Sequence, residues 1–282
     1  MAVQLSIDND EEARERLEID LLLEAIHRRY NYDFRGYALA SLRRRLWHRV
    51  YGEGLATISG LQERLLHDPA CMDRLLRDLS INVTEMFRDP GFHRTLRERV
   101  FPLLRTYPFI RIWNAGCSTG EEIYSLAIAL HEAGLLDRTR IYATDINDGA
   151  LQRAQAGAFP LERMQRYTEN YLRAGGSEAF SSYYAAQGDN ARFDPTLAEG
   201  VVFAQHNLVT DGSFNEFHLI VCRNVMIYFG SALQEEVLRL FGDSLTRFGI
   251  LALGRKESIR HSPGGERFEA LDEAEKIFRR RG

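Results

Sequence analysis

Glu121 and Glu122 follow directly on a glycine-containing turn in the segment NAGCSTGEE at 114–122, and this pair decides which ligand the turn suits. A helix starting there offers exposed amides and the positive end of its dipole, the usual setting for a phosphate. Two carboxylates in its first turn repel a pyrophosphate. They favour a ligand with a cationic amino group and a sulfonium centre, which describes S-adenosylmethionine. Gly116 and Gly120 are spaced G-x-x-x-G, so neither the G-x-G-x-x-G dinucleotide fingerprint nor a Gly-Lys-Ser/Thr phosphate loop is present. The same residues also fit a local role, because Ser118 with Glu121, or Thr119 with Glu122, has capping-box spacing.

Asp145, in YATDIND at 142–148, ends a strand-like run and is placed to accept hydrogen bonds from both hydroxyls of a ribose. Asp145 or Asp148 could instead cap the following helix. Paired with the glycine turn, Asp145 reads as the ribose carboxylate and Asp148 as the cap. Further on, CRNVMIYF at 222–229 puts Arg223, Asn224 and Tyr228 after another strand, at the edge where open α/β sheets bind ligands. Tyr228 also fits a core aromatic with its hydroxyl at the surface. The segment lacks the Pro-Pro-Tyr pattern of base-modifying methyltransferases, which disfavours a nucleobase substrate.

Positioning these residues requires a parallel sheet. After Phe101-Pro102, short β-rich runs alternate with helical stretches: 109–115, 140–145, 201–206, 217–224 and 250–254. RFEALD and EKIFRRR near the end read as two antiparallel strands appended to the sheet edge. The helix after the glycine turn should bury Leu126, Ile128, Ala129 and Leu130. Between Gly157 and Gly200, with Tyr183, Tyr184 and Phe193, the rhythm breaks for longer than a simple connection, which predicts an inserted subdomain. From about Glu11 to about Leu79 the spacing is helical throughout. The expected organisation is therefore a helical domain over 1–80, a linker helix over 81–100, and a Rossmann-like class I sheet domain over 101–282 with a small β insert at 157–200.

The 282 residues include 45% apolar and 27% charged types, enough for a core, and no apolar run approaches the ~20 residues of a membrane span. Lys and Arg number 36 against 40 Asp and Glu, a net charge of −4, so no global basic field favours nucleic acid. Three widely spaced cysteines, Cys71, Cys117 and Cys222, form no C-x-x-C pair and indicate neither a disulfide framework nor a zinc site. With an acidic opening that lacks an apolar core, they predict a cytoplasmic protein. One local basic stretch exists: between Asp33 and Glu53 stand Arg35, Arg43, Arg44, Arg45 and Arg49 with no acid among them. Leu39, Leu42, Leu46 and Val50 make one helical stripe, which would leave the arginines on the other faces, as a docking patch or a plain solvated face.

Taken in order, LRRRL (42–46), NVTEMFRD (82–89), NAGCSTGEE, YATDIN, HNL (206–208), RNVMIYF, LGRKES (253–258) and KIFRR (276–280) resemble the chemotaxis receptor methyltransferases, the CheR family, over nearly the whole chain. The resemblance implies an enzyme that transfers methyl groups from S-adenosylmethionine to glutamate side chains of chemoreceptors. It implies that Asn82, Thr84, Arg88, Gly116, Glu122, Asp145, Asn207, Leu208, Arg223 and Asn224 hold the cofactor, with Arg88 and Tyr228 nearest the transferred methyl. Arg43, Arg44, Arg45 and Arg49 would dock acidic receptor helices. The implied partners are chemoreceptor cytoplasmic helical domains and a regulatory adaptor, with no nucleic acid and no direct membrane insertion. Three departures stand out: Met86 for a common phenylalanine, Ile123 for a proline, and Arg255-Lys256 for a frequent His-Ser before Glu257.

A glutamate is already ionised at neutral pH, its pKa being about 4.3, so displacement at the methyl carbon needs alignment and dryness rather than a general base. No metal and no acid/base pair is expected. The competing readings are a signalling methyltransferase outside chemotaxis, an S-adenosylmethionine-binding adaptor of the same fold, and a nucleic-acid methyltransferase gripping backbone with the arginine helix and Trp47.

Overall fold

The computed structural model describes residues 2–80, 84–260 and 262–282, with side chains from Asp10 onward. The chain divides into two compact units, Met1–Ile81 with Tyr228–Leu233, and Asn82–Ile227 with Gln234–Gly282.

The first unit holds α1 (Ala2–Tyr30), α2 (Leu39–Gly52), α3 (Ile58–His67) and α4 (Pro69–Leu79). Capping sets the later starts: Thr57 accepts the Gly60 N–H at 3.0 Å, and Asp68 accepts that of Ala70 at 3.0 Å ahead of Pro69. Along α2, Leu42, Leu46 and Val50 are buried as their spacing requires, whereas Leu39 is 37% exposed. The 228–233 segment joins this unit through backbone bonds. Ala38 N–H donates to the Tyr228 carbonyl at 2.9 Å, Gly230 N–H donates to that of Gly36 at 2.8 Å, and Tyr37 bridges Phe229.

The second unit opens differently from the expected linker helix over 81–100. Thr84–Asp89 form a loop; the helix runs from α5 (Pro90–Thr95) through a π-turn at Leu96–Val100 into α6 (Phe101–Leu104). Phe92, Leu96, Val100, Phe101 and Leu104 are buried in the core of the sheet unit, so this helix is a layer of that domain rather than a connector.

The sheet strands are β1 (Ile110–Ala115), β2 (Thr139–Asp145), β6 (Val201–Gln205), β7 (Phe217–Cys222), β8 (Leu245–Leu253), β9 (Phe268–Asp272) and β10 (Ile277–Arg280), in the order β6-β2-β1-β7-β8-β10-β9. The first five run parallel, and the last two are antiparallel, as the terminal motifs required. Between them lie α7 (Glu121–Glu132), α8 (Asp148–Ala156) and α10 (Ser231–Ser244). Ile112, Trp113 and Ile141 in β1 and β2, and Leu126 to Leu130 in α7, are all at most 1% exposed, the continuous burial expected where helices cover a parallel sheet.

The 157–200 segment builds β3 (Ala158–Pro160), α9 (Met164–Arg173), β4 (Tyr184–Gln187) and β5 (Asn190–Phe193), the strands forming a separate antiparallel sheet ordered β3-β5-β4. Its aromatic core, including Tyr167, Tyr171, Phe180, Tyr183 and Phe193, packs with Met86, Phe87 and Tyr124. Glu132 at the end of α7 ties it down: this buried carboxylate accepts from the hydroxyls of Tyr171 and Tyr183 and pairs with Arg97. Burial pushes the Glu132 carboxyl up, but Tyr171, Arg97 and the Ser177 N–H outweigh it and hold it below the usual 4.5. A depressed folded-state pKa contributes stability that is present above 4.5 and lost as pH falls through the depressed value. Glu132→Gln should therefore lower the urea midpoint at pH 7 by an amount worth about 1–3 kcal/mol, with the gap to wild type narrowing on acidification below the free-glutamate value. A gap constant with pH would show that charge is not what Glu132 contributes.

Candidate functional site

At the carboxyl ends of β1, β2 and β7, three buried or half-buried acids organise the loops that follow. Asp145, 8% exposed at the end of β2, accepts the Ser118 N–H at 2.9 Å on one oxygen and the Asn147 N–H at 2.9 Å on the other. It thereby clamps the glycine bend to the start of α8. Burial pushes its carboxyl up, and these backbone N–H groups partly restore it. The bend itself needs glycine: Gly116 has φ 82° and a Cβ there would lie 2.4 Å from Val225 Cγ2, while Gly120, at φ 96°, would meet Ala154 at 2.9 Å. Ser118 also takes a left-handed φ of 52°, against its steric preference.

The helix caps differ from expectation. Gly120 is the N-cap of α7 and no side chain caps it, so neither proposed capping box forms. Glu121 is buried at 3% exposure and accepts from the Thr119 hydroxyl at 2.6 Å. Glu122 accepts from Asn114 Nδ2 at 2.9 Å and from Arg223 Nη1 at 2.6 Å. At α8 the cap is Asn147, whose Oδ1 accepts the Ala150 N–H at 3.2 Å; Asp148 instead accepts from the Gln152 side chain at 2.7 Å. Asn147 satisfies the N3 amide from a position Asp148, already inside the helix, does not have.

Arg223 is buried, its side chain 2% exposed. Besides Glu122 it binds Asp89 Oδ2 at 2.6 Å and the Arg88 carbonyl at 3.3 Å, with its guanidinium 4.1 Å from the centroid of the Phe92 ring. Asn224, next in the chain, is left-handed at φ 62°. That bend is held by Glu257, 4% exposed, whose carboxylate accepts the N–H groups of Asn224 (3.1 Å), Val225 (2.9 Å), Met226 (2.8 Å) and Gly254 (2.5 Å).

Of the other residues singled out from the sequence, Asn82 lies outside the described residues. Thr84 and Arg88 are half-buried on the 84–89 loop. Asn207 is half-buried and its polar groups are engaged locally: its N–H donates to Asp211 Oδ2 at 2.9 Å and its Oδ1 accepts the Val209 N–H at 3.0 Å, leaving Leu208 at the crown of that turn. Tyr228 belongs to the helical unit, with the Arg45 guanidinium 4.3 Å from its ring centroid. Arg45 corrects the docking expectation. It is 5% exposed and donates to the Leu79 carbonyl at 2.7 Å, so it is an interior residue of the helical unit. Arg49 is also mostly covered and pairs with Asp78 at 2.6 Å and Glu53 at 3.1 Å. Arg43 pairs with Glu15 at 2.8 Å, the same carboxylate that accepts the Trp47 indole N–H. Arg44 is exposed. Arg255, one of the departures from the family pattern, pairs with Glu275 at 2.6 Å.

Asp89, Glu257 and Asn114 escaped the sequence reading as functional residues. Asp89 and Glu257 sat inside quoted motifs, but their partners lie 134 and about 30 positions away, and nothing in local spacing announces such pairs.

Comparison with known proteins identifies the architecture. Residues 82–275 match the family described as CheR methyltransferase, SAM binding domain, and residues 17–80 match the CheR methyltransferase all-alpha domain. The chain belongs to the CheR methyltransferase family. Cher3 of Pseudomonas putida, provisionally described as a methyltransferase, is 51% identical to this CheR-family chain over 264 residues, covering 94% of it and 97% of the relative. The chemotaxis protein methyltransferase of Listeria innocua is 31% identical over 247 residues, 86% of this chain and 91% of the relative. That of Salmonella typhimurium is 33% identical over 186 residues, 64% of this chain and 62% of the relative. Family membership makes S-adenosylmethionine the methyl donor of the CheR sheet domain. The bend fits such a cofactor: it offers acids rather than phosphate-binding groups, and Asn114 Oδ1 is buried without a hydrogen-bond partner among the described residues. No described helix is long and apolar enough to cross a membrane.

Proposed function

We propose that this protein methylates glutamate side chains of chemoreceptor cytoplasmic helices, using S-adenosylmethionine held at the β1–β2–β7 edge. What carries the reading is that both CheR domains match in order on a chain in which Asp145 holds the glycine bend through the Ser118 N–H and Glu122, in the helix that follows the bend, pairs with Arg223. The names of the Listeria and Salmonella relatives support the chemotaxis setting.

S-adenosylmethionine supplies a methyl group on a sulfonium and departs as the neutral thioether. Asp145 is assigned the ribose hydroxyls and Glu122 the cationic end, in keeping with acids where a phosphate site would need bare amides. The crown of the 207–211 turn, at Leu208, is assigned the adenine edge. Arg88, on the loop that Arg223 joins to Glu122, is assigned the carboxylate of the methyl donor, which a guanidinium grips bidentately. Thr84, on the same loop, is assigned to that side as well, and Asn82 is assigned to the cofactor by the family resemblance alone. The family resemblance gives Tyr228 a role near the transferred methyl, and within the helical unit the Arg45 guanidinium lies over its ring. The receptor glutamate arrives ionised, so the protein's contribution is alignment, which supplies about 7–11 kcal/mol in well-oriented systems. Exposed Arg44, with Arg43, is assigned the receptor contact; Arg45 and Arg49 are withdrawn from it.

The test is incubation of the protein with tritiated S-adenosylmethionine and receptor cytoplasmic fragments. Base-labile label on the receptor, as a carboxyl methyl ester gives, supports the reading. Alkali-stable label, or none despite cofactor binding, favours a different acceptor or an adaptor.

A further inference from the structure

Arg88 sits between two left-handed residues. Phe87 has φ 50° and Asp89 φ 54°, and neither is a glycine. Such backbone persists only where surrounding contacts hold it, and both sides are held. Phe87 N–H donates to Ser125 Oγ at 2.8 Å, and that hydroxyl donates to the Glu121 carbonyl at 2.6 Å, anchoring the first bend on α7. On the other side, Arg223 Nη2 takes Asp89 Oδ2 at 2.6 Å and the Arg88 carbonyl at 3.3 Å. Two of the three guanidinium nitrogens of Arg223 are thus spent on Glu122, Asp89 and the Arg88 carbonyl, and Nε is itself buried. A guanidinium stacked on Phe92 and enclosed to this degree is built to hold other groups in place.

We propose that Asp89, through Arg223, is a positioning residue for Arg88. The Asp89–Arg223 clamp fixes the left-handed loop so that the Arg88 guanidinium is presented to the carboxylate of the methyl donor, while the same Arg223 fixes Glu122. This rests on the assignment of the bend as the S-adenosylmethionine site. Neither Asp89 nor a role for Arg223 through another residue follows from the cofactor contacts implied by family resemblance. Glu122 keeps Arg223 Nη1 and Asn114 Nδ2 when Asp89 is removed, so the effect of Asp89 on the cofactor runs through Arg88, which makes the idea separable from direct binding and from general stability.

The experiment is a double-mutant cycle read by calorimetric titration with S-adenosylhomocysteine, which retains the donor's carboxylate, on the full chain. Wild type, Asp89→Ala, Arg88→Ala and the double variant are compared, with Asp89→Asn as a milder substitution. Asp89→Ala is expected to weaken binding about tenfold and Arg88→Ala at least as much, the scale of one charge-assisted hydrogen bond. The double variant should match Arg88→Ala within about twofold, because a residue acting through another has nothing left to position. Losses that multiply, or an Asp89→Ala affinity equal to wild type, overturn the clamp. Failure of the wild-type chain to bind the probe overturns the site assignment itself and the clamp with it, so the two failures are told apart.

Discussion

Asp145→Ala should weaken S-adenosylhomocysteine binding about a hundredfold or more, measured by calorimetric titration. Two hydroxyl-to-carboxylate hydrogen bonds, at about 1.5–3 kcal/mol each, correspond to at least two decades of affinity. The structure adds a second route to the same loss. Asp145 also accepts the N–H groups of Ser118 and Asn147, so its removal releases a left-handed serine and the start of α8 together. Asp145→Asn separates the two routes, since the amide oxygen retains one backbone bond while its NH2 group faces the other donor. The pH dependence has a definite sign. Burial raises the Asp145 carboxyl above its ordinary 3.8, so for folding its contribution is greatest below 3.8 and is lost as pH rises through the raised value. For binding the sign reverses, because ribose hydroxyls donate to the ionised form. Affinity should therefore fall on acidification at a pH above that of a free aspartate, and Asp145→Asn should abolish the dependence. An affinity in Asp145→Ala equal to that of wild type would place the ribose carboxylate elsewhere.

How much of this was legible beforehand depends on the range of the interactions. The strands at 110–115, 139–145 and 217–222 are short apolar runs buried over most of their length, and burial of that kind writes itself into composition, whereas the edge strand at 201–205 has no buried residue and was legible only as a β-rich run. The antiparallel pair β9 and β10 and the inserted sheet were readable for the same reason, from local punctuation and rhythm. The glycine bend was visible because G-x-x-x-G is local, but its cap was not. Gly120 caps α7 by adopting φ 96° against Ala154, a contact set by the packing of α8. The stretch 81–100 misled because its second half is truly helical. Residues 84–89 within it are a loop held by Ser125 and Arg223, 38 and 134 or more positions away. The α2 arginines misled in another way: a helical stripe sorts residues into faces, but not which polar residue lies against a neighbouring helix. Arg45 is buried under its aromatic and carbonyl partners, although its neighbours Arg43 and Arg44 are exposed.

Glu257→Gln should be the most destabilising single change at the site, by about 3–5 kcal/mol in urea unfolding, because several buried N–H groups at about 1–3 kcal/mol each lose their acceptor. The carboxylate of Glu257 serves four backbone donors, three from the turn after β7 and one from Gly254 after β8. A glutamine of the same shape offers one oxygen to them and turns an NH2 group toward the rest, which places donor against donor in a region with little solvent. The loss matters beyond stability. Asn224 holds φ 62° within that turn, and a left-handed non-glycine residue relaxes when its restraint goes. Relaxation of Asn224 would shift Arg223, and with it Glu122 and Asp89, so cofactor affinity should fall in the same variant under conditions where it remains folded. Against a domain stability of roughly 5–15 kcal/mol, such a variant would retain a folded population at 10 °C but show a midpoint far below wild type. Glu257→Asp, which keeps the charge but shortens the reach, should lie between the two. A Gln variant with an unchanged urea midpoint would mean that the four amides find other acceptors and that the Asn224 bend is held from elsewhere.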